Sequence, residues 1–471
     1  MELTQIKNNA NIKLIQNAAI KTGAKVFIVG GALRDIIMQN EISDYDFIVF
    51  GDVNQFTDTV SEMLSRPGIS IGGVDKNVTR IVKNGIIHDF TNAKADTLEE
   101  DIPLRDFTMN ALAYSLADEK MIDLCGALDD INAKNIKMVS DSAFDDDPLR
   151  MLRAFRFMAQ LGFRIDEHTQ NSITKKVASI HNSAEERIRA ELFMILASDR
   201  SYDSIKAMAD CGILYELFPE LKESVGCKQN DYHHLDVMDH TLLAYKNLED
   251  IFCNLPKYFE KTHSQLGEFL AADNSKTLLK YAILLHDIAK PVTRSVGIDG
   301  RIHFYGHCEM GEKMLAPINR RLRLSCKDDD ISRAIVRQHL RLINFFGKMD
   351  EGAVSKKSII RYFLRLRDIG LHVIIHNLAD LMAARGIKRA EESELAKVIA
   401  FSDMMLDIYF NDYLKKAANP PLLTGYHLIE HLSMPPSPAF KRILDKAYEM
   451  QMQGEITTLE EALKYAKRAS A

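Results

Sequence analysis

The sequence predicts an α+β chain in which an α/β segment over residues 1–140 is followed by a remainder that is nearly all helix. Two patterns point to this. In residues 1–140, short apolar runs with strand character alternate with helical stretches. From Pro148 onward strand signals become scarce and apolar residues recur at i, i+3 and i+4, as in Leu149, Leu152, Phe155 and Ala159. Composition agrees with a packed chain, with 46% apolar, 27% charged and 8% aromatic residues over 471 positions. At roughly 150 residues per domain about three domains are expected, which excludes a single small binding module.

The elements of the first segment follow in order. A polar helix covers about 5–22, an apolar strand Val26–Val29, and a helix starts near Ala32. Strands follow near Asp46–Phe50 and Ile86–Phe90. In the rest of the chain the most linker-like stretches lie near 223–232 and 416–425, and no repeat or low-complexity tract is present.

Six cysteines without a CxxC pair spell neither a disulfide framework nor a thiolate zinc site, and fit a reducing cytoplasm. The first thirty residues lack a secretory pattern, and no uncharged apolar run approaches the roughly 18 residues of a membrane span, so a cytosolic, non-membrane protein is expected. The net charge is −6, so a nucleic-acid partner must be met by a local basic surface. Two segments qualify. Leu315–Asp368 holds 13 Lys and Arg against six acids, and Pro148–Ile165 holds four Arg and no acid. Each is either a solvated helical face or a phosphate-binding surface.

The first candidate site begins at Gly30-Gly31, directly after a strand and before a helix, where backbone amides can face an anion such as phosphate. A tight strand-to-helix turn would use the same glycines. Thirteen residues after Gly31 comes Asp44-Tyr45-Asp46, which leads into a strand. Strand side chains alternate, so Asp44 and Asp46 share one face. Two carboxylates in one space call for cations, and Mg²⁺ bridging them to a nucleotide's phosphates would stabilise an in-line displacement. Asp89, in the strand Ile86–Phe90, offers a third acid.

GGALRD (30–35) with DYD (44–46) resembles the signature of the class II tRNA nucleotidyltransferase and bacterial poly(A) polymerase family, which extends RNA 3′ ends without a nucleic-acid template. Further blocks match in order: LRDFTMNALAY (104–114), DLCGALDD (123–130), DDPLRMLRAFRF (146–157) and ERIRAEL (186–192). The resemblance implies a polymerase-β-like head with Asp44 and Asp46 as the catalytic, Mg²⁺-holding carboxylates. It puts phosphate-side contacts at Gly31 and Arg34, sugar and triphosphate contacts at Arg105, Asp106 and Asn110, and counts Gly30 and Asp35 as nucleotide-binding. Arg153, Arg156 and Arg187 complete the implied nucleotide-binding set.

Asp147 before Pro148 suits an N-cap followed by N1, so Asp147 could simply cap a helix. Yet a carboxylate accepts from an exocyclic amine and a guanidinium donates to ring nitrogen and carbonyl oxygen. Asp147 and Arg150 together can therefore present a Watson–Crick-like edge to cytosine or adenine, which G and U do not match. In the family such a pair chooses the base. Asp146 stands where the usual residue is Glu.

A second site is spread over helical segments: His240 in DVMDHTLLAYKNLE, His286-Asp287 in YAILLHDIAK and Asp380 in HNLADLMAARG. These resemble the ligands of the HD superfamily of metal-dependent phosphohydrolases. His307 and His339 match the extra histidines of members with a fuller site. Imidazole with carboxylate suits Mn, Fe, Ni or Zn better than Mg. The segment 421–444 resembles the tail of family members that carry an HD domain.

The implied division is a head at 1–140, a base-selecting and RNA-binding helical part at 141–225, an HD domain at 226–400 and a helical tail at 401–471. The implied activity is addition of C, A or both to the tRNA 3′ end from CTP and ATP. The rivals are a poly(A) polymerase and a phosphohydrolase whose head only binds RNA. Family members that add the terminal A usually carry a longer loop after the third head strand; here only residues 91–100 precede Asp101, which points to a CC-adding enzyme. The sequence leaves the oligomeric state open.

Overall fold

A computed structural model describes residues 4–71, 78–230, 234–347, 354–385 and 392–470. The chain divides into two compact units, Met1–Ile195 with Asp203–Leu217, and Leu196–Tyr202 with Phe218–Ala471. Among the described residues no helix is long and apolar enough to cross a membrane.

The first unit is built on a seven-stranded mixed sheet. Its strands are β1 (Lys25–Val29), β2 (Asp44–Phe50), β3 (Ile69–Ile71), β4 (Val78–Lys83), β5 (Ile86–Asn92), β6 (Ala113–Ser115) and β7 (Lys120–Ile122), in the order β3-β4-β5-β2-β1-β6-β7. β2 runs parallel to β5 and antiparallel to β1, so the acid-bearing strand is central. Alternation along β2 explains its two faces. Tyr45 and Phe47 are buried and stack with His88 and Phe90, and Phe90 meets Phe56 of the helix Val53–Leu64. Asp44, Asp46 and Ile48 point the other way, and Ile48 packs with Val29, Leu98, Ile102 and Ala113. Helix α1 (Ala10–Thr22) is capped by Asn9, whose side chain accepts from the Asn11 and Ile12 amides. Helix α2 (Gly31–Ile37) follows β1 without a linker.

Two helices then complete the candidate site of this unit: α3 (Arg150–Leu161) and α4, which starts at Glu185. The expected cap at Asp147 differs in detail. Asp147 Oδ1 accepts from the Leu149 amide at 3.2 Å, Pro148 sits in the turn, and the regular helix begins only at Arg150.

The second unit is helical apart from a ribbon of Ser295–Val296 with Ile302–His303. Its inner layer comprises α5 (Val237–Cys253), α6 (Ser275–Leu285), α7 (His307–Arg321), α8 (Cys326–Gln338) and α9 (Ile369–Arg385). α6 is buried along nearly its whole length, Lys280 included. Lys280 Nζ is satisfied by Glu249 at 2.7 Å and by the Ser198 carbonyl at 2.6 Å, as a buried ammonium must be. The C-terminal helices gather around a small core of their own that includes Leu423, Leu428, Ile443 and Ala466.

Candidate active site

Of the residues singled out in the head and in the helices that follow it, fourteen line one cleft of about 540 Å³ in the first unit, and Asp89 is not among them. One wall is the open face of β2. Asp44 is exposed there and accepts from Ser43 Oγ at 2.8 Å, while Asp46 is half-buried. Burial, reinforced by Asp44 and Asp89, pushes the Asp46 carboxyl up to about 6. The pair carries negative charge that its neighbours leave under-compensated, so its chemistry fits a hard divalent cation such as Mg²⁺. Asp89 lies opposite Asp46 in the parallel register, yet its carboxylate is clamped by Arg80 through two hydrogen bonds of 2.8 and 2.7 Å. The third acid is thus an electrostatic neighbour already paired with a cation.

Gly30 has φ 78°, and a Cβ there would meet Asp46 Oδ2 at 3.0 Å. A larger residue would be strained and would press on the carboxylate, so the glycine secures close approach of β1's end to Asp46. Arg34 is held from two sides: Asp35 accepts from it at 2.9–3.1 Å and Asn110 Oδ1 at 2.7 Å. Asn110 Nδ2 in turn donates to Asp106 at 3.2 Å. Asp106 is buried, and although burial opposes its charge, Arg153 holds it below the usual carboxylate range through bonds of 3.0 and 2.6 Å. Asp106 therefore orients arginines. Arg105 pairs with the buried Asp101 at 3.2 Å.

The opposite wall holds Asp147, Arg150 and Arg187. Asp147 Oδ2 accepts from Arg187 at 2.7 Å, which outweighs the effect of burial and lowers its pKa. Arg150 is buried and donates to the carbonyls of Leu104, Arg105 and Ala143 at 2.6–3.1 Å. Asp147 and Arg150 thus share the cleft, but the cation on Asp147 is Arg187, forty residues away in the chain.

Among the residues the sequence reading missed are Phe157 and Lys94, which line the cleft, and Glu191, which pairs with two of its arginines. The Phe157 ring is ringed by the guanidiniums of Arg34, Arg153 and Arg156, at 5.4, 5.5 and 4.3 Å from its centroid. Glu191 is buried and receives Arg156 at 2.7 Å and Arg153 at 3.6 Å. Lys94 lines the mouth. Phe157 and Glu191 sit inside the blocks quoted above, and for Phe157 the arginines at i−4 and i−1 were the available signal.

The second unit brings the HD residues together. His240 Nε2 lies 2.8 Å from Asp380 Oδ1 and 3.7 Å from Asp287 Oδ2. His286 Nε2 lies 3.0 Å from Asp287 Oδ2 and 3.6 Å from Asp380 Oδ1. Burial opposes the charge of His286, yet Asp287 and Asp380 overcome it and push its pKa up to about 10. His286 Nε2 and both oxygens of Asp287 are buried without a directed hydrogen bond among the described residues. Lys290 Nζ stands 2.6 Å from Asp287 Oδ2, and with His240 and Asp380 from two further helical segments the group fits a divalent metal of the imidazole-binding class. His307 and His339 stand beside them, 3.6 and 3.8 Å from Asp287 Oδ1. His376 and Cys308, not foreseen as parts of the site, complete the cluster: the His376 ring lies 5.1 Å from that of His286, and Cys308 Sγ lies 3.7 Å from His307 Nε2.

Residues 26–137 match the family described as Poly A polymerase head domain, 162–224 that described as probable RNA and SrmB-binding site of polymerase A, and 237–403 the HD domain. The chain is 28% identical to the A-adding tRNA nucleotidyltransferase of Deinococcus radiodurans, over 94% of each chain. It is 27% identical to the CC-adding tRNA nucleotidyltransferase of Thermus thermophilus, over 94% of this chain and 93% of the relative. The chain belongs to the class II tRNA nucleotidyltransferase and bacterial poly(A) polymerase family, with an HD domain. As a member of that family it is a nucleotidyltransferase. The solved Thermotoga maritima CCA-adding enzyme complexed with tRNA shares its fold, with a TM-score of 0.63 at 20% identity over 98% of this chain and 95% of that one.

Proposed function

We propose that the protein adds nucleotides to the 3′ end of tRNA without a nucleic-acid template, taking CTP and discriminating against GTP and UTP. One observation carries the reading: a carboxylate pair suited to metal and a carboxylate–arginine wall suited to a base edge face the same cleft, with a cluster of arginines between them. Mg²⁺, held by Asp44 and Asp46 when bound, supplies charge neutralisation for an in-line displacement at phosphorus. The remaining work belongs to this chain's own groups. Arg34, Arg105, Arg153 and Arg156 offer the triphosphate a cationic bed whose geometry is fixed by Asp35, Asp101, Asp106 and Glu191. Asp147 accepts from an exocyclic amine of cytosine or adenine once Arg187 yields or shares it.

Relatives of nearly equal identity are named A-adding and CC-adding, so overall similarity does not choose the product. The segment after β5 supports one reading of it. β5 ends at Asn92 and a short helix starts at Leu98. Between them the Lys94 amide donates to the buried Asp101 carboxylate at 2.9 Å, and Leu98 is buried. A pocket that must change from C to A needs an element free to move. A segment this short and this anchored favours a CC-adding enzyme that leaves the terminal A to another.

In this reading residues 1–140 catalyse, 141–225 select the base and grip RNA, 226–400 form a metal-dependent phosphohydrolase and 401–471 form a tail. The buried donors of His286 and Asp287 support the third assignment. The head mechanism is tested by Asp44→Ala: incorporation falls by several orders of magnitude while tRNA affinity stays within a few-fold, because the metal acts on the transition state. Near-normal turnover in that variant refutes it.

A further inference from the structure

Three guanidiniums converge on one ring in the cleft of the first unit. Their central carbons stand 5.4 Å (Arg34), 5.5 Å (Arg153) and 4.3 Å (Arg156) from the centroid of Phe157, which is itself only 5% exposed. All four residues line the cleft. Like charges this close repel, the more so where burial lowers the local dielectric. Arg156 registers that environment: burial lowers its pKa, Glu191 opposes the fall and Arg153 adds to it.

Acids answer part of this charge. A chain of hydrogen bonds runs around the ring: Arg34 donates to Asn110 at 2.7 Å, Asn110 to Asp106 at 3.2 Å, and Arg153 to Asp106 at 2.6 Å. Glu191 accepts from Arg156 at 2.7 Å and stands 3.6 Å from Arg153. These bonds use the edges of the guanidiniums, where the N–H groups point. An aliphatic side chain at the centre would fill space and attract none of the three cations. An aromatic ring carries negative charge on its faces and attracts a cation within about 6 Å of its centroid. All three carbons fall inside that range.

The ring is also fixed in place. Fully buried Phe107 meets it in a T-shaped pair, with centroids 5.9 Å apart and planes at 88°. Arg153 precedes Phe157 by four residues on α3 and shares its helix face, whereas Arg34 belongs to α2. Phe157 therefore ties the helix that follows β1 to the helix that begins at Arg150 of the base-facing wall.

We propose that Phe157 is a positioning residue for nucleotide addition: its π system holds Arg34, Arg153 and Arg156 together, so that they meet the triphosphate as one preformed cationic bed. The proposal rests on the nucleotide-binding reading of the cleft. Phe157 acts through the arginines, lowering the cost of gathering them before the ligand arrives. Its effect therefore falls on the binding of phosphates, whatever base they carry.

The test measures equilibrium binding of CTP and of inorganic tripolyphosphate to the full-length protein, with Mg²⁺ and without tRNA. Two variants remove π charge: Phe157→Leu, and Phe157 replaced by a trifluorinated phenylalanine, which keeps the ring's shape and weakens its attraction for cations. The leucine variant should bind both ligands about tenfold more weakly and the fluorinated one a few-fold more weakly. Steady-state addition should show the loss in KM for CTP with kcat little changed. A loss with both ligands, graded from the fluorinated ring to leucine, supports the proposal. Fluorinated protein that binds both ligands as wild type does overturns it, since packing alone would then be at work. A loss with CTP and none with tripolyphosphate also overturns it, by making Phe157 a base-stacking residue. If Phe157→Leu fails to fold, the fluorinated variant decides alone. Wild type that binds neither ligand overturns the nucleotide reading itself.

Discussion

Asp46→Asn should make the metal-free protein more stable while abolishing its chemistry. The Asp46 carboxyl is raised from 3.8 to about 6, chiefly by burial and then by Asp44 and Asp89. Each unit is worth about 1.4 kcal/mol, so forcing this group to ionise in the fold costs up to about 3 kcal/mol. The folded state holds its proton more tightly than the unfolded state, so stability falls as pH rises from about 4 to about 6 and the deficit is complete above that. Asn has the same shape and no charge. In EDTA at pH 8, Asp46→Asn should therefore be about 2–3 kcal/mol more stable, which for a unit of roughly 200 residues moves its melting transition up by about 4–12 °C. The advantage should shrink as the pH falls through 6 and vanish near the ordinary carboxylate range. Adding Mg²⁺ should stabilise wild type by mass action and the variant much less. Calorimetry at several pH values, with and without Mg²⁺, checks all three. A variant no more stable than wild type at pH 8, or an advantage independent of pH, would refute the reasoning.

Asp147→Ala should relax selection among CTP, ATP, UTP and GTP, and Arg187→Ala should raise the apparent affinity for the correct nucleotide by freeing the carboxylate that Arg187 occupies. Steady-state incorporation with each nucleotide checks both, and an unchanged preference in Asp147→Ala would reduce that residue to a turn former. His286→Ala or Asp287→Ala should abolish metal-dependent phosphatase or cyclic-phosphodiesterase activity and leave nucleotide addition intact, because the two sites share no residue. Absence of any phosphohydrolase activity in wild type with Mn²⁺, Ni²⁺, Co²⁺ or Mg²⁺ would make the HD unit structural.

The parts of the fold legible in the sequence were those written in local periodicity. β1, β2 and β5 declare themselves through apolar alternation, and the double glycine and the DxD pair flag the strand ends where side chains must leave the sheet. Parallel pairing of β2 with β5, which sets Asp89 against Asp46, joins residues about forty positions apart and leaves no local trace. Arg187 on Asp147 is hidden for the same reason. Phe157 and Glu191 lie on amphipathic helices, where an aromatic or an acid reads as core or solvated face until three arginines are seen to converge on them. Cys308 beside His307 has no motif spacing, and His376 lies on a helix too uniformly apolar for a lone imidazole to stand out. Their roles come from helix packing in the second unit.

The central claim is tested most directly by incubating purified protein with a tRNA that ends at the discriminator base, one labelled nucleotide at a time, and resolving the products at single-nucleotide resolution. The account predicts extension by two C residues from CTP, no extension from UTP or GTP, and negligible addition of A to a tRNA already ending in CC. Efficient A addition to that CC-ending tRNA, at a rate comparable to C addition, would contradict the CC assignment. Failure to extend any tRNA with CTP would contradict the account as a whole.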